Sequence, residues 1–349
     1  MDLIAPDEMS IGADVALLQE AVRDADRVIP TGARTQWEIG GAPRGGTEVR
    51  APAGVIRYEP ADLTVTVGAG TTVEHLSGVL REHGQECPLD PRAARATVGG
   101  VLSAGLSGHR RLRYGPLRNW VLEVRFVTAD GRIVKGGGPT VKNVSGYDLP
   151  RLLVGALGTI GLLTQVTLRA APLPVASEWA TSHRAPGEVR AALLRPASIL
   201  YNGRSTRVLL EGDPADVASQ RRAAALELDD PPGFPPGRHR GRISVTPDRS
   251  ATIGPALTAV GARWLAEIGV GTVHVAADNP ETIAAARDVA HQHHGWLLRE
   301  AGAPALEPFG VPLPNLALHR RVKAAFDPHG KMNPGRIPAI DPDPAKDVA

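Results

Sequence analysis

Six arginines, Arg92, Arg95, Arg110, Arg111, Arg113 and Arg118, fall between residues 91 and 118 with no aspartate or glutamate among them, and the run ATVGGVLSAGLSGHRRLRYG, residues 96 to 115, adds five glycines. Glycine has no Cβ, so consecutive main-chain N–H groups can turn toward one point and form a nest for phosphate oxygens. Arginine adds charge-assisted hydrogen bonds worth roughly 1.5 to 3 kcal/mol each. A diphosphate meets both conditions. On this segment alone a glycine-rich surface loop with solvated arginines fits equally well, and because Ala, Gly, Pro and Arg are abundant throughout, position carries more weight than count.

Three other patterns invite chemistry and lose on spacing. GAGTTV, residues 68 to 73, follows a strand and opens a helix as a dinucleotide loop does, but Val73 stands where the third glycine is required for close helix-to-strand packing; a plain strand-to-helix turn is the better reading. GLSGH, residues 105 to 109, puts His109 where a nucleophile elbow has its second glycine, and no strand leads into it, so Ser107 reads as a serine in a tight loop. In His291, His293 and His294 only the first and third have helical ligand spacing, and no metal-binding carboxylate motif accompanies them. They read as a polar helix end.

The elements around these residues alternate helix and strand periods. Leu18, Ala21, Val22 and Ala25 form a helical stripe, followed by a short apolar strand at Val28 to Pro30 and the glycine-rich loop TGARTQWEIGGAPRGG. GVIRYEP and LTVTVGAG read as strands; Thr71 to Glu74 reads as a capping box opening a helix that ends near Gly84. VLEVRFVTADGRIVKGG reads as a hairpin turning on Asp130-Gly131, both expected at positive φ, and Ile160 to Leu168 as a further strand. Beyond APLPVAS the composition shifts. RVLLEG, RISVTP, RWLAEIG, GTVHVAA and GWLLRE alternate as strands, with helices starting at Asp213-Pro214 and Asn279-Pro280 and a last helix over Asn315 to Phe326. The class is α+β.

Apolar residues make up 42% of the 349 and charged residues 22%, ordinary for a globular chain, and a net charge of +2 provides no global field for nucleic acid. Cys87 is the single cysteine, which rules out an internal disulfide, a cysteine zinc site and a self-contained iron–sulfur cluster. MDLIAPDEMS lacks the basic-then-apolar pattern of a signal peptide, and the longest apolar run, around Val154 to Leu163, is too short to span a bilayer. A cytoplasmic protein without membrane insertion is expected.

Taken together, TVGG, SGHRRLRYGPLRNWVLEVRFVTADGRIVKGG, VKNVSGYDLPRLLVGALGTIGLLTQVTLRAAP and the tail FDPHGKMNPGRI resemble, in order, the FAD-linked oxidases that share a PCMH-type FAD-binding fold with vanillyl-alcohol oxidase, and within them the glycolate-oxidase branch. The resemblance implies an FAD cradle between two α+β subdomains in place of a doubly wound sheet. By it, Thr31, Gly32, Ala33, Arg34, Thr35 and Gln36 form the first diphosphate loop, while Ala96, Thr97, Val98, Gly99 and Gly100 wrap the far side of the cofactor, so that amides of the two segments converge on the diphosphate. Gly105, Gly108, Arg110, Arg111 and Tyr114 continue that wall, with Asp90 just before it. Gly158, Thr159, Ile160 and Gly161 lie on the adenine side; Lys331, Asn333 and Arg336 return to the flavin from the tail. Arg242, at the start of RISVTP, stands where a substrate carboxylate would be held.

The same resemblance implies an FAD-binding domain over residues 1–172, an α+β cap or subunit-interface domain over 173–310 and a C-terminal segment over 311–349 that returns to the first. The expected substrate is a small 2-hydroxy acid, oxidised by hydride transfer to flavin; the alternative is a non-catalytic FAD-bearing scaffold. A sister flavoprotein and an iron–sulfur subunit are the expected partners. The H-x-G-D-G-N metal motif of lactate- and hydroxyglutarate-oxidising relatives is absent, so no metal is expected. The loop TGARTQW has no histidine for a covalent flavin link. Acidified or boiled protein is therefore expected to release yellow flavin into the supernatant, read from its visible spectrum; colour retained on the precipitated chain would show a covalent bond instead.

Overall fold

The computed structural model describes residues 8–138 and 147–341. The motif stretch VKNVSG, residues 141 to 146, and the N-terminal residues up to 7 lie outside them. Two compact units are present, one made of the chain up to Gly108, Pro116–Leu173 and the segment from Leu313 onward, the other of His109–Gly115 and Pro174–Pro312. The arginine-rich run that sequence reading gives whole to the first domain is thus divided between the two.

In the first unit a five-stranded antiparallel sheet runs in the order Val55–Glu59, Thr64–Gly68, Leu162–Arg169, Val121–Val127, Ile133–Gly137. Period-two alternation gives it a buried face, where Val65, Val67, Val124, Phe126, Val166 and Leu168 lie. A separate parallel ribbon pairs Val28–Pro30 with Thr47–Val49. Leu18, Val22, Val28, Val49, Val127, Leu162 and Met332 form one apolar cluster, so helix Glu8–Asp24, the ribbon, the sheet and the C-terminal tail share a core.

Local chemistry departs from expectation at two turns. Helix Val73–Arg81 is capped by Thr72, whose side chain accepts from the His75 N–H, and not by Thr71. Thr71 is buried; its hydroxyl accepts from the Gly54 N–H at 2.9 Å and donates to the Gly68 carbonyl at 2.7 Å, tying the turn to the preceding strand. The hairpin loop closes with a Thr128 N–H to Arg132 carbonyl bond, making a three-residue loop that is one residue longer, on its N-terminal side, than the expected two-residue turn, and only Gly131 takes positive φ, at 78°. Asp130 does not.

The second unit is built on an eight-stranded antiparallel sheet, ordered Glu227–Leu228, Ala176–Ser182, Thr206–Gly212, Ser198–Tyr201, Arg263–Glu267, Thr272–Ala277, His239–Ser244, Trp296–Ala301. Strand Ala176–Ser182 escaped sequence reading because the domain-boundary composition masks it. Ile243, Val273, Val275 and Leu297 pack in one cluster with Ile283, Ala286 and Ala290 of helix Pro280–Gln292. Alternation sends their strand neighbours Arg242 and His274, which are cross-strand partners, to the opposite face.

That opposite face carries a buried polar network. His274 Nε2 donates to Glu267 at 2.7 Å, His109 Nδ1 lies 3.3 Å from the same carboxylate oxygen, and the His109 ring stacks on Phe234 with centroids 4.2 Å apart. Arg242 is ion-paired with Glu300 at 3.2 Å. Burial holds His274 neutral, its pKa down to about 4, although the bond to Glu267 favours the charged form. Burial also pushes Glu267 up, but the hydrogen bonds from His109 and His274 and the charge of Arg242 outweigh it and leave the carboxyl well below the usual range. Ligand atoms of His109, Glu267 and His274 lie within 4.8 Å of one another, a two-histidine, one-carboxylate set that no single sequence motif contains because three separate segments supply it.

The sign of the resulting pH dependence follows from His274. Unfolded, its imidazole takes a proton near pH 6.5, whereas folded it resists charging to about 4, so stability is complete above 6.5 and falls as the pH drops toward 4. The full shift corresponds to on the order of 3 kcal/mol. Urea unfolding at pH 7.5, 5.5 and 4.5 is expected to show progressive loss in the wild type and a flatter profile in His274→Gln, which keeps a donor toward Glu267 but does not titrate. An unchanged slope would assign the effect to other groups.

Candidate functional site

Two adjoining cavities in the first unit share Pro30, Gly32, Thr97, Gly100, Ser103 and Leu157. Their first wall is the loop after strand Val28–Pro30. Thr31 is fixed by its N–H to the Val49 carbonyl and its hydroxyl to the Ile29 carbonyl. From Gly32 to Gln36 the main-chain N–H groups have no protein acceptor among the described residues. Arg34 takes a left-handed φ of 56°, the change of hand within a loop that turns successive amides inward. Its side chain pairs with Glu48 and covers one side of the Trp37 ring.

Residues 97 to 104 form the second wall, but as a helix in place of a nest. Thr97 caps helix Val98–Ala104 by accepting from the Gly100 N–H, Val98 N–H donates to Thr71, and Gly99 N–H donates to Ala69. These three amides are therefore engaged inside the protein, which corrects the expectation that they grip a diphosphate. The glycines serve close approach instead. A Cβ on Gly32 would lie 2.3 Å from Thr97 Oγ1, and one on Gly99 3.0 Å from Ala69. Ala69 and Gly70, from the turn dismissed as a dinucleotide loop, line the cavity here.

The third wall is the turn before strand Leu162–Arg169. Leu157 and Gly158 are both left-handed, at φ 51° and 69°, and the N–H groups of Gly158, Ile160 and Gly161 find no protein acceptor among the described residues. Gly158 and Gly161 line the cavity; Thr159 and Ile160 are buried behind it. The tail closes the fourth side. Asn333 donates from Nδ2 to the Leu157 carbonyl, and Arg336 Nη1 reaches the carbonyls of Trp37, Gly41 and Ile39 at 2.6, 3.2 and 3.4 Å. The Arg336 guanidinium also stacks on Trp37, 4.3 Å from its centroid, opposite in role to the exposed Arg34.

Electrostatically this corner is incomplete on its own. Arg336 is 4% exposed, no carboxylate pairs with it among the described residues, and desolvation brings its pKa down to about 10, still charged at neutral pH. Gln36 Oε1 and Asn333 Oδ1 are buried acceptors without a donor. Free amides on two walls, orphan acceptors and an uncompensated cation suit a ligand that carries negative charge and hydrogen-bond donors as well. FAD, with a diphosphate and with ribityl, adenine and ring N–H donors, has that composition.

Other expected positions lie elsewhere. Arg110, Arg111 and Tyr114 belong to the second unit, where Arg110 and the Tyr114 hydroxyl meet the Glu211 carboxylate at 3.2 and 2.8 Å; they do not line the cavities. Arg242, expected to hold a substrate carboxylate, is buried in the second unit with its Nε paired to Glu300 and does not line the cavities. Lys331 points to the Arg23 carbonyl. Gly105 ends the helix in a left-handed cap, and Gly108 packs on Asp90, where a Cβ would meet backbone at 2.4 Å. Ala96 and Val98 are buried supports. Sequence reasoning missed Trp37, Ser103 and Leu157; only Trp37 left a signal, an aromatic ring in a glycine-rich loop. A larger groove crosses the polar face of the five-stranded sheet, and its charges pair internally, as Lys135 and Arg125 do with Glu123.

Comparison with known proteins agrees with this geometry. A family model described as FAD binding domain matches residues 10–137, and one for the C-terminal domain of FAD linked oxidases matches residues 311–337. Glycolate oxidase subunit GlcE of Escherichia coli (strain K12) is 29% identical over 346 residues, 92% of this chain and 95% of that protein. D-lactate dehydrogenase of Archaeoglobus fulgidus is 46% identical over 113 residues, and D-2-hydroxyglutarate dehydrogenase of Xanthomonas citri pv. viticola 32% over 163; the matches span only 26% and 34% of those proteins. Among solved structures, alkyldihydroxyacetonephosphate synthase shares the fold, with a TM-score of 0.64 at 14% identity over 92% of this chain and 73% of that one. The chain is thus similar to FAD-linked oxidases in two separate segments, an FAD-binding domain over residues 10–137 and a closing segment over residues 311–337, and the cavity these segments line has unsatisfied groups that fit the cofactor.

Proposed function

We propose that this chain is an FAD-dependent oxidoreductase subunit of glycolate-oxidase type that oxidises a small 2-hydroxy acid to the 2-oxo acid. The observation that carries the reading is the near full-length correspondence with a glycolate oxidase subunit, on a chain with an amide-lined cavity pair that has the donors and acceptors the cofactor needs. When bound, FAD supplies the two-electron acceptor for the hydride that leaves the α-carbon. The hydroxyl proton would pass to solvent water or to a base outside the cavity lining as the C=O bond forms.

In this reading the Gly32–Gln36 amides bind the diphosphate, with Thr31 anchoring the loop. Gly99, Gly100 and Thr97 form a flat wall that admits the cofactor. Gly158 and Gly161 supply the opposite amides, while Gln36 and Asn333 accept from its hydroxyl or ring N–H donors. Arg336, fixed by three carbonyls and desolvated, would offer the bound cofactor a fixed positive charge at the cavity wall. Asp90, Ala96, Val98, Gly105 and Gly108 brace these walls. Flavin is held without a covalent bond, and the protein works in the cytoplasm.

One observation favours the scaffold reading. No carboxylate, imidazole or lysine lines either cavity, so the described site contains no group to take the hydroxyl proton. A sister flavoprotein would then hold the substrate. Cys87 alone cannot build an iron–sulfur cluster, so in both readings electrons leave to an outside acceptor, an iron–sulfur partner subunit, a soluble acceptor or oxygen. FAD-loaded chain mixed anaerobically with glycolate or D-lactate is expected to lose its flavin absorbance without any partner. Bound flavin that stays oxidised would select the scaffold, and failure to bind FAD would reject both.

A further inference from the structure

Helix Leu316–Phe326 lies largely in solvent, and its one buried residue is a lysine. Lys323 is 2% exposed, and its ammonium makes three contacts: the Asp327 carboxylate at 2.5 Å, the Thr159 carbonyl at 2.8 Å and the Met332 carbonyl at 2.9 Å. Asp327, fully buried, accepts in addition from the N–H groups of Lys331 and Met332. Apart from the bond between them, the side-chain hydrogen bonds of this pair go to two segments, the turn 157–161 and the tail 331–336. Those segments are two walls of the cavity.

A burial this complete is costly for both charges, and an apolar pair of equal volume would hold a helix end as well. What an apolar pair cannot do is fix carbonyl positions. We infer that Lys323 and Asp327 are positioning residues for the FAD site: one ammonium sets the distance between the Thr159 carbonyl and the Met332 carbonyl, and so aims the Gly158, Ile160 and Gly161 amides on one side and Asn333 and Arg336 on the other. The pair itself is buried behind the walls and touches no ligand.

This inference rests on the FAD reading, and the test separates the two. Hydrogen exchange of ligand-free protein is compared for wild type, Lys323→Met and Lys323→Gln, alongside Val65→Ala, a cavity variant in the sheet core away from the pair. Faster exchange confined to residues 157–161 and 331–336 in the Lys323 variants is expected whether or not FAD binds. FAD affinity, followed by flavin fluorescence, is then expected to fall about tenfold or more in Lys323→Met, as misplacement of a binding group does, with a changed visible circular dichroism of the bound flavin. Val65→Ala, compared at a temperature where all variants are folded, is expected to keep wild-type affinity within about twofold. Unchanged exchange in the two segments, equal affinity in Lys323→Met, an equal loss in Val65→Ala, or failure of both Lys323 variants to fold would each overturn the positioning role. Wild-type protein that shows the expected exchange pattern but binds no FAD would reject the cofactor reading and, with it, the ligand named here.

Discussion

The return of the C-terminal tail to the first strand is the contact on which the first unit depends. Val28 N–H donates to the Lys331 carbonyl and Asn333 N–H donates back to the Val28 carbonyl, at 2.9 and 2.7 Å, with Val28 and Met332 both at zero exposure. Four residues after Val28, at Gly32, the chain enters the run of free amides. Three residues after Asn333 it reaches Arg336, whose guanidinium holds that loop from the far side by three carbonyls. More than 300 residues of sequence separation are closed by these bonds, and a loop that carried its own amides unpaired would otherwise have no reason to keep one shape.

The cavity illustrates a division of labour between two uses of glycine. In the loop after Pro30 and in the turn at Gly158, backbone hand changes leave amides facing outward, available to a ligand. In helix Val98–Ala104 the glycines do the opposite: their amides are engaged, and their missing Cβ atoms let Thr97 and Ala69 lie against neighbouring backbone. The same residue type thus builds a binding surface in one place and a packing surface in another. Which one results depends on the cap residue before it.

In the second unit, strand alternation places apolar residues against helix Pro280–Gln292 and, on the other face, a chain of buried ionisable groups from Glu300 through Arg242 to His274, Glu267 and His109. Low dielectric makes each of these groups dependent on its partner, which is why His274 stays neutral while Glu267 stays charged. The arginines that looked like a phosphate cluster divide in the same way. Arg110 answers Glu211 and Arg95 reaches the Ala33 carbonyl of the cavity loop, while the arginines that line the cavity, exposed Arg34 and buried Arg336, come from outside that cluster.

Sequence by itself determined the α+β class, the strands Val55–Glu59, Thr64–Gly68 and Leu162–Arg169, the loop from Thr31 to Gln36 and the importance of the tail, because alternation, caps and glycine-proline punctuation act over a few residues and are written locally. It could not determine which amides are free. Whether Gly99 N–H meets a phosphate or Ala69, whether Arg242 faces a substrate or Glu300, and whether Lys323 is a solvated lysine or a buried clamp all depend on partners 30 to 164 residues away. Those pairings arise only when the strands settle into register, since a polar group is committed by what lies opposite it in space, and one sequence position carries no record of that neighbour.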